Sequence, residues 1–267
     1  MNLRALENKH YILFNGENLL QKYGAVMWKD EEVIASRSYD EVEIPGRNGA
    51  LLRDNGTFPP VSLPYSGFIT GEGAYQRFML LRNALCSTTG EKVLVDPSHP
   101  DEFMKAHFRS FVDVEATNSG VSFTANFTAD PRHFLFDGQL KKKIGHLSEV
   151  NNNSDYKFYN SSFFISFPLI YIEKAPEDAY MYMFLHRIEL TRAITEDDNF
   201  VINCEKKNAY NSKTGEILTD VLNFTSVNDF PYIYPNFTYL SYFDFPPEST
   251  SKKADFSGYF IPNTYYI

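Results

Sequence analysis

Short runs of alternating apolar and polar residues, broken by Pro, Asn, Asp and Gly, fill most of this sequence, and they confine it to an antiparallel β architecture. Residues 36–44 set Tyr39, Val42 and Ile44 among Arg37, Asp40, Glu41 and Glu43. Residues 103–114 and 121–127 are rich in Phe and Val. Residues 115–120 between them read as a hairpin turn, because Asn118 and Gly120 tolerate positive φ. The second half continues with expected strands over 163–172, 180–190, 200–205, 217–224 and 239–245. Turn residues at such short intervals fit a sandwich rather than a parallel sheet.

One segment breaks the rhythm. Ala74, Phe78, Leu81 and Leu85 are spaced four, three and four, which places them on one face of a helix. Arg77 and Arg82 are left facing solvent, and Gly71, Gly73 and Gly90 bracket the element.

Composition narrows the function. At 267 residues, 43% hydrophobic and 22% charged, the chain is in the globular range. A net charge of −9 argues against nucleic-acid phosphates as the main partner. No run of eighteen apolar residues suggests membrane insertion, and residues 1–10 have no apolar signal core. Cys86 and Cys204 then read as free thiols in a reducing compartment. Aromatics number 17 in residues 1–140 and 26 in residues 141–267, so the two parts are expected to be separate domains. The polar stretch 148–155, after the Lys141–Lys142–Lys143 triplet, has the character of an exposed connection.

Candidate chemistry is sparse. Gly71-Glu72-Gly73 lacks the third glycine of a dinucleotide fingerprint, and Gly46-Arg47-Asn48-Gly49 is not followed by the Lys-Ser/Thr of a phosphate loop. There is no G-x-S-x-G nucleophile motif. His10, His99, His107, His133, His146 and His186 fall at no ligand spacing, so no metal or cofactor is expected. Adjacent acids such as Glu31-Glu32, Asp101-Glu102 and Asp197-Asp198 are poorly placed to face each other across a cleft, so a hydrolase is disfavoured and no catalytic residue is assigned.

The most informative stretch is residues 39–69. Pro45-Gly46 ends a strand, and Asn48-Gly49 and Asn55-Gly56 are tight reversals, which together predict a projecting hairpin. The segment Ile44-Pro45-Gly46-Arg47-Asn48-Gly49-Ala50-Leu51, followed by Gly56-Thr57-Phe58 and the helix with Arg77, Leu81 and Leu85, closely resembles the N-terminal region of the distal tail (Dit) proteins of long-tailed, non-contractile bacteriophages and prophages. Phe14-Asn15-Gly16, Tyr23-Gly24, residues 90–94 and residues 123–132 resemble further parts of that family in order. In the second half, residues 167–172, 210–215 and 230–236 are similar to strands and hairpins of its C-terminal domain.

The resemblance implies a mainly β fold: an N-terminal β-sandwich-like ring domain (1–140) with one α-helix and a projecting hairpin, then a C-terminal galectin-like β-sandwich (141–267). It implies a virion structural protein, assembled in the host bacterial cytoplasm. Such a protein forms a homohexameric ring joining the tail tube protein to the tail-associated tip protein and carrying receptor-binding proteins. A closed ring needs a heterologous contact, and a projecting hairpin is suited to cover a neighbour's sheet edge. Pro45, Gly46, Arg47, Asn48, Gly49, Leu51 and Arg53 are therefore the expected oligomer interface, with Arg47 and Arg53 meeting a neighbour's carboxylates; the alternative is that both arginines are solvated turn residues. The competing reading is a carbohydrate-binding module that adsorbs to the host surface, with Tyr232, Tyr234, Tyr239 and Tyr242 as stacking rings.

Overall fold

The computed structural model describes residues 10–46, 48–146, 157–177, 179–184, 186–224, 230–244 and 256–267. The fold is mainly β and divides into two compact units, residues 1–133 with Ile267 and residues 134–266. The stretch 148–155, expected as a connection, falls outside the described residues.

In the first unit the described elements are β1 (Leu13–Phe14), β2 (Glu17–Asn18), α1 (Leu19–Tyr23), β3 (Val26–Trp28), β4 (Tyr39–Glu43), β5 (Ala50–Asp54), β6 (Val61–Thr70), α2 (Ala74–Ser87), β7 (Lys92–Val95), β8 (Glu102–Thr117) and β9 (Gly120–Ala129). Seven of the strands form one antiparallel sheet in the order β2-β1-β7-β8-β9-β6-β3. Helix α2 buries Ala74, Phe78, Leu81 and Leu85, the four residues whose spacing predicted it. Phe78 packs on Phe111 and Phe123, and a chain of edge contacts runs on through Phe108 and Phe127 to Tyr65 and Phe14. Burying a ring of this size stabilises the unit by about 1.5–3 kcal/mol. The core is built from these contacts.

Three features differ from expectation. First, a second helix, α1, follows β2. Asn18 starts it by accepting hydrogen bonds from the Leu20 and Gln21 amides, and Gly24 ends it in the left-handed region at φ 69°. Second, Arg77 does not extend freely into solvent. Its guanidinium donates to the Thr70 carbonyl at 2.6 Å and lies where a Cβ on Gly24 would stand, 2.3 Å away. Third, the β8–β9 hairpin is longer than the sequence suggested, with only Asn118 and Ser119 between the strands, and Asn118 does not take positive φ. Gly120 is there for closeness: an added Cβ would sit 2.4 Å from the Ile69 carbonyl oxygen. A positive φ occurs instead at Asp113, where the ladder shifts register between Val112 and Glu115.

The second unit contains β10 (His133–Leu135, which begins at the last residue of the first unit), β11 (Lys142–Lys143), β12 (Gly145–His146), β13 (Lys157–Tyr159), β14 (Leu169–Lys174), β15 (Tyr180–Met183), β16 (His186–Leu190), β17 (Phe200–Asn203), β18 (Asn208–Asn211), β19 (Leu222–Phe224), β20 (Thr238–Asp244), β21 (Ser257–Ile261) and β22 (Tyr265–Tyr266). One sheet runs β11-β21-β14-β17-β18. The other runs β12-β20-β15-β16-β19, with β13 also on β20. Their inward residues, among them Ile170, Ile202 and Phe260 from the first and Met181, Ile188 and Phe243 from the second, form one buried cluster.

Residues 180–190, expected as one strand, are a hairpin. The reversal passes through Phe184 at φ 51°, and Phe184 is buried edge-on against Tyr239 and Phe260. An apolar reversal facing the core carries none of the polar residues that announce a turn. Residues 163–168 are irregular, and strand β14 begins only at Leu169. Asn160, fully buried, explains this: its side-chain amide donates to the carbonyls of Phe164, Ile233 and Tyr234, replacing a ladder. Within 217–224 only Leu222–Phe224 is a strand, because Thr219–Val221 turns as a 3-10 helix.

Candidate assembly surface

Strands β4 and β5 form a two-stranded ribbon with no other strand beside it among the described residues. The register pairs Tyr39 with Asp54, Asp40 with Arg53, Glu41 with Leu52, Val42 with Leu51 and Glu43 with Ala50. All five residues of each strand are exposed. Because side chains alternate, one face carries Asp40, Val42, Leu51 and Arg53, and the other carries Tyr39, Glu41, Glu43, Ala50, Leu52 and Asp54. Leu52 is 62% exposed and Leu51 46%. A ribbon of two strands is at best marginally stable alone in water. Val42, Leu51 and Leu52 are apolar side chains that stand exposed among the described residues.

The base of the ribbon is fastened by polar groups. The Ser38 amide donates to the Thr57 carbonyl and the Asn55 amide to the Ser38 carbonyl. The Asn55 side chain donates to Asp40 Oδ1 at 3.0 Å. The Gly56 amide donates to Asp54, whose other oxygen pairs with Arg37; these two, in that order, hold the Asp54 carboxyl below its usual range. Arg37 also lies over the Phe58 ring at 5.5 Å.

At the tip, Gly46 and Gly49 take φ of 83° and 84°, with open space where a Cβ would project. Backbone strain, not crowding, therefore selects glycine there. Pro45, Asn48 and Leu51 are exposed, and Arg53 stands opposite Asp40 in register. Arg47 lies outside the described residues.

Of the four tyrosines suggested for stacking, Tyr232, Tyr234 and Tyr239 are neighbours and Tyr242 packs elsewhere. Tyr239 is 4% exposed and its hydroxyl accepts from the Tyr234 amide at 2.7 Å, so its ring belongs to the core. Tyr232 packs on Tyr234 and His186. Tyr242 instead stacks on Tyr182.

The first unit also holds a polar cluster that sequence spacing did not reveal. Tyr65 donates to Asp96 at 3.0 Å, and Lys29, with only 8% of its side chain exposed, lies 3.3 Å from the same carboxylate. Burial pushes Asp96 up, but hydrogen bonds from Ser98 and the charge of Lys29 outweigh it and hold the carboxyl low. His133 lies 3.2 Å from Glu102 and edge-on to His99. Burial, opposed by Glu102, keeps its imidazole below the ordinary range. Among the described residues no group of three or more His, Cys, Asp or Glu is placed to hold a metal ion. Cys86 is exposed, Cys204 is buried, and neither is in a disulfide.

No protein-family model matches the chain, and no curated protein matches it. Solved structures do. The Dit protein of phage SPP1, described as a paradigm of the hub adsorption apparatus in phages infecting Gram-positive bacteria, superposes with a TM-score of 0.60 at 10% identity, covering 94% of this chain and 96% of that one. Two chains from the phage P2 baseplate in its activated conformation, one with Ca and one with Sr, show the same coverage at 12% and 10% identity, with TM-scores of 0.48 and 0.45. The chain has a mainly β fold like that of the SPP1 Dit protein.

Proposed function

We propose that the protein is a structural component of a phage virion: a homohexameric hub at the distal end of a long non-contractile tail, joining tail tube to tip and carrying receptor-binding proteins. The observation that carries this reading is the β4–β5 ribbon, ten strand residues (five and five) all exposed, with Val42, Leu51 and Leu52 among them. In a closed ring each subunit offers one surface to a different surface of the next, so the ribbon of one copy would lie on a neighbour's sheet. Arg53 and Arg47 would there meet carboxylates of an acidic partner copy. This role needs no catalytic site, and none is proposed. Light scattering on purified protein tests the assembly: a hexamer is expected, and a monomer throughout the micromolar range would count against self-assembly as a property of this chain.

The domain arrangement belongs to the same proposal. Residues 1–140 would form the ring and residues 141–267 a separate galectin-like sandwich. Limited proteolysis is expected to cut first between residues 141 and 156; first cleavage within α2 would contradict that division.

A further inference from the structure

The turn between β7 and β8 carries the polar cluster of the first unit. Two backbone bonds close it: the His99 amide donates to the Asp96 carbonyl at 3.0 Å, and the Glu102 amide donates to the His99 carbonyl at 3.2 Å. Tyr65, Ser98 and Lys29 hold the Asp96 carboxylate. Glu102 faces His133 at 3.2 Å, and the His133 ring meets that of His99 edge-on with centroids 5.6 Å apart. Nδ1 of His99 is buried and has no hydrogen-bond partner among the described residues. Leu94, Phe103 and Met104 close the apolar side of the cavity these groups share, which at about 10 Å³ holds one water at most.

We infer that this turn is an acid-sensitive latch: protonation of His133 drives residues 96–102 open while the aromatic core under α2 stays closed. A proton on His133 gains the Glu102 carboxylate. The cation it makes also faces the His99 ring and the Lys29 ammonium, in a cavity too small for water to screen them. Burial first, then His99 and Lys29, outweigh Glu102 and hold the His133 imidazole below its ordinary value of 6.5. A folded imidazole held low adds no penalty well above that value. The penalty grows as pH falls from 6.5 towards the folded value, because the unfolded chain takes up the proton first. Outside the cavity, Arg132 is tied to Asp130 and Glu32 lies 3.6 Å from Lys29, so neither carboxylate is placed to neutralise the new charge. The turn is the part that yields, since His99 and Glu102 supply its closing bonds and their side chains meet the incoming proton. Phe108, Phe111, Phe123 and Phe127 have nothing to titrate, and the core they build is indifferent to this change.

The latch stands apart from the hub reading. Its test is amide hydrogen exchange of the full-length protein at about pH 7.5 and about pH 5, each referred to the intrinsic rate at that pH. Residues 96–104 are expected to lose protection at the lower pH, while α2 and β9 keep theirs. His133→Gln leaves a donor for Glu102 but takes up no proton, and is expected to abolish the loss. His107→Gln removes an exposed histidine 3.8 Å from Glu91 and is expected to preserve it. Where His133→Gln does not fold, His99→Gln serves instead: with one ring made uncharged, a smaller loss than in wild type is expected. No acid-dependent loss in the wild type, an undiminished loss in the folded variant, or a loss shared equally by α2 and β9 would overturn the proposal.

Discussion

Two hairpins of the first unit share antiparallel geometry and differ in what covers them. In β8–β9, Phe108, Phe111, Phe123 and Phe127 meet one another and the α2 face, so the apolar side chains find partners within the same chain. In β4–β5, Val42 and Leu51 face each other across the ladder, but they, Tyr39 and Leu52 remain exposed, with no second layer over them among the described residues. Alternation alone does not decide whether a strand belongs to a core; the cover does. The first hairpin is an element of folding. The second fits an element of assembly.

Substitutions can break that contrast, beginning with the largest effect. Phe127→Ala is expected to cost the isolated subunit about 3–5 kcal/mol by emptying a fully buried site, visible as a large fall in Tm. Deleting residues 45–52 is expected to leave a β-rich circular dichroism spectrum and a sharp transition while abolishing rings. If the deletion unfolds the subunit, the ribbon belongs to the core and the contrast fails. If rings persist, the interface role of Leu51 and Arg53 fails instead.

A pair of glycines sharpens the same point. Gly120→Val drives a side chain into the Ile69 carbonyl and is expected to cost about 1–3 kcal/mol of subunit stability. Gly49→Val meets no neighbour but must hold positive φ, so about 1 kcal/mol of strain is expected, read mainly as weaker assembly. Equal effects of the two on the monomer's Tm would erase the distinction.

The smallest effect concerns acid. The Asp54 carboxyl is held low by the Gly56 amide and then by Arg37, so its contribution is present above the ordinary carboxylate pKa of 3.8 and is lost as pH falls through the lowered folded value. Amide exchange in residues 39–54 is therefore expected to be faster in Asp54→Asn than in wild type at neutral pH. The two should converge below the carboxylate range, with the β8–β9 amides the same in both proteins.

Sequence carried the parts of this molecule whose signals are local. Helix α2 was legible because fourteen residues give a 3.6-residue stripe room to show itself. The ribbon was legible because Pro45-Gly46 and Asn48-Gly49 mark its tip. Helix α1 was not, because five residues make barely more than one turn and its start depends on Asn18 capping, a hydrogen bond rather than a pattern. The reversal at Phe184 was hidden for the opposite reason: its residue looks like core and is core. The meeting of His99 and His133 was out of reach because it depends on tertiary packing across thirty-four residues, and by spacing alone the two are unrelated.

The seat of Arg77 over Gly24 has a consequence for how this chain can vary. The guanidinium fills the volume that any other residue at position 24 would claim, and it closes the Thr70 carbonyl in the same stroke. A side chain at position 24 would displace the guanidinium and leave that carbonyl to water, and it would still have to hold the left-handed φ of 69° that ends α1. Position 24 is therefore held to glycine twice over, by the backbone turn that ends α1 and by a guanidinium fifty-three residues away in sequence that occupies its open side.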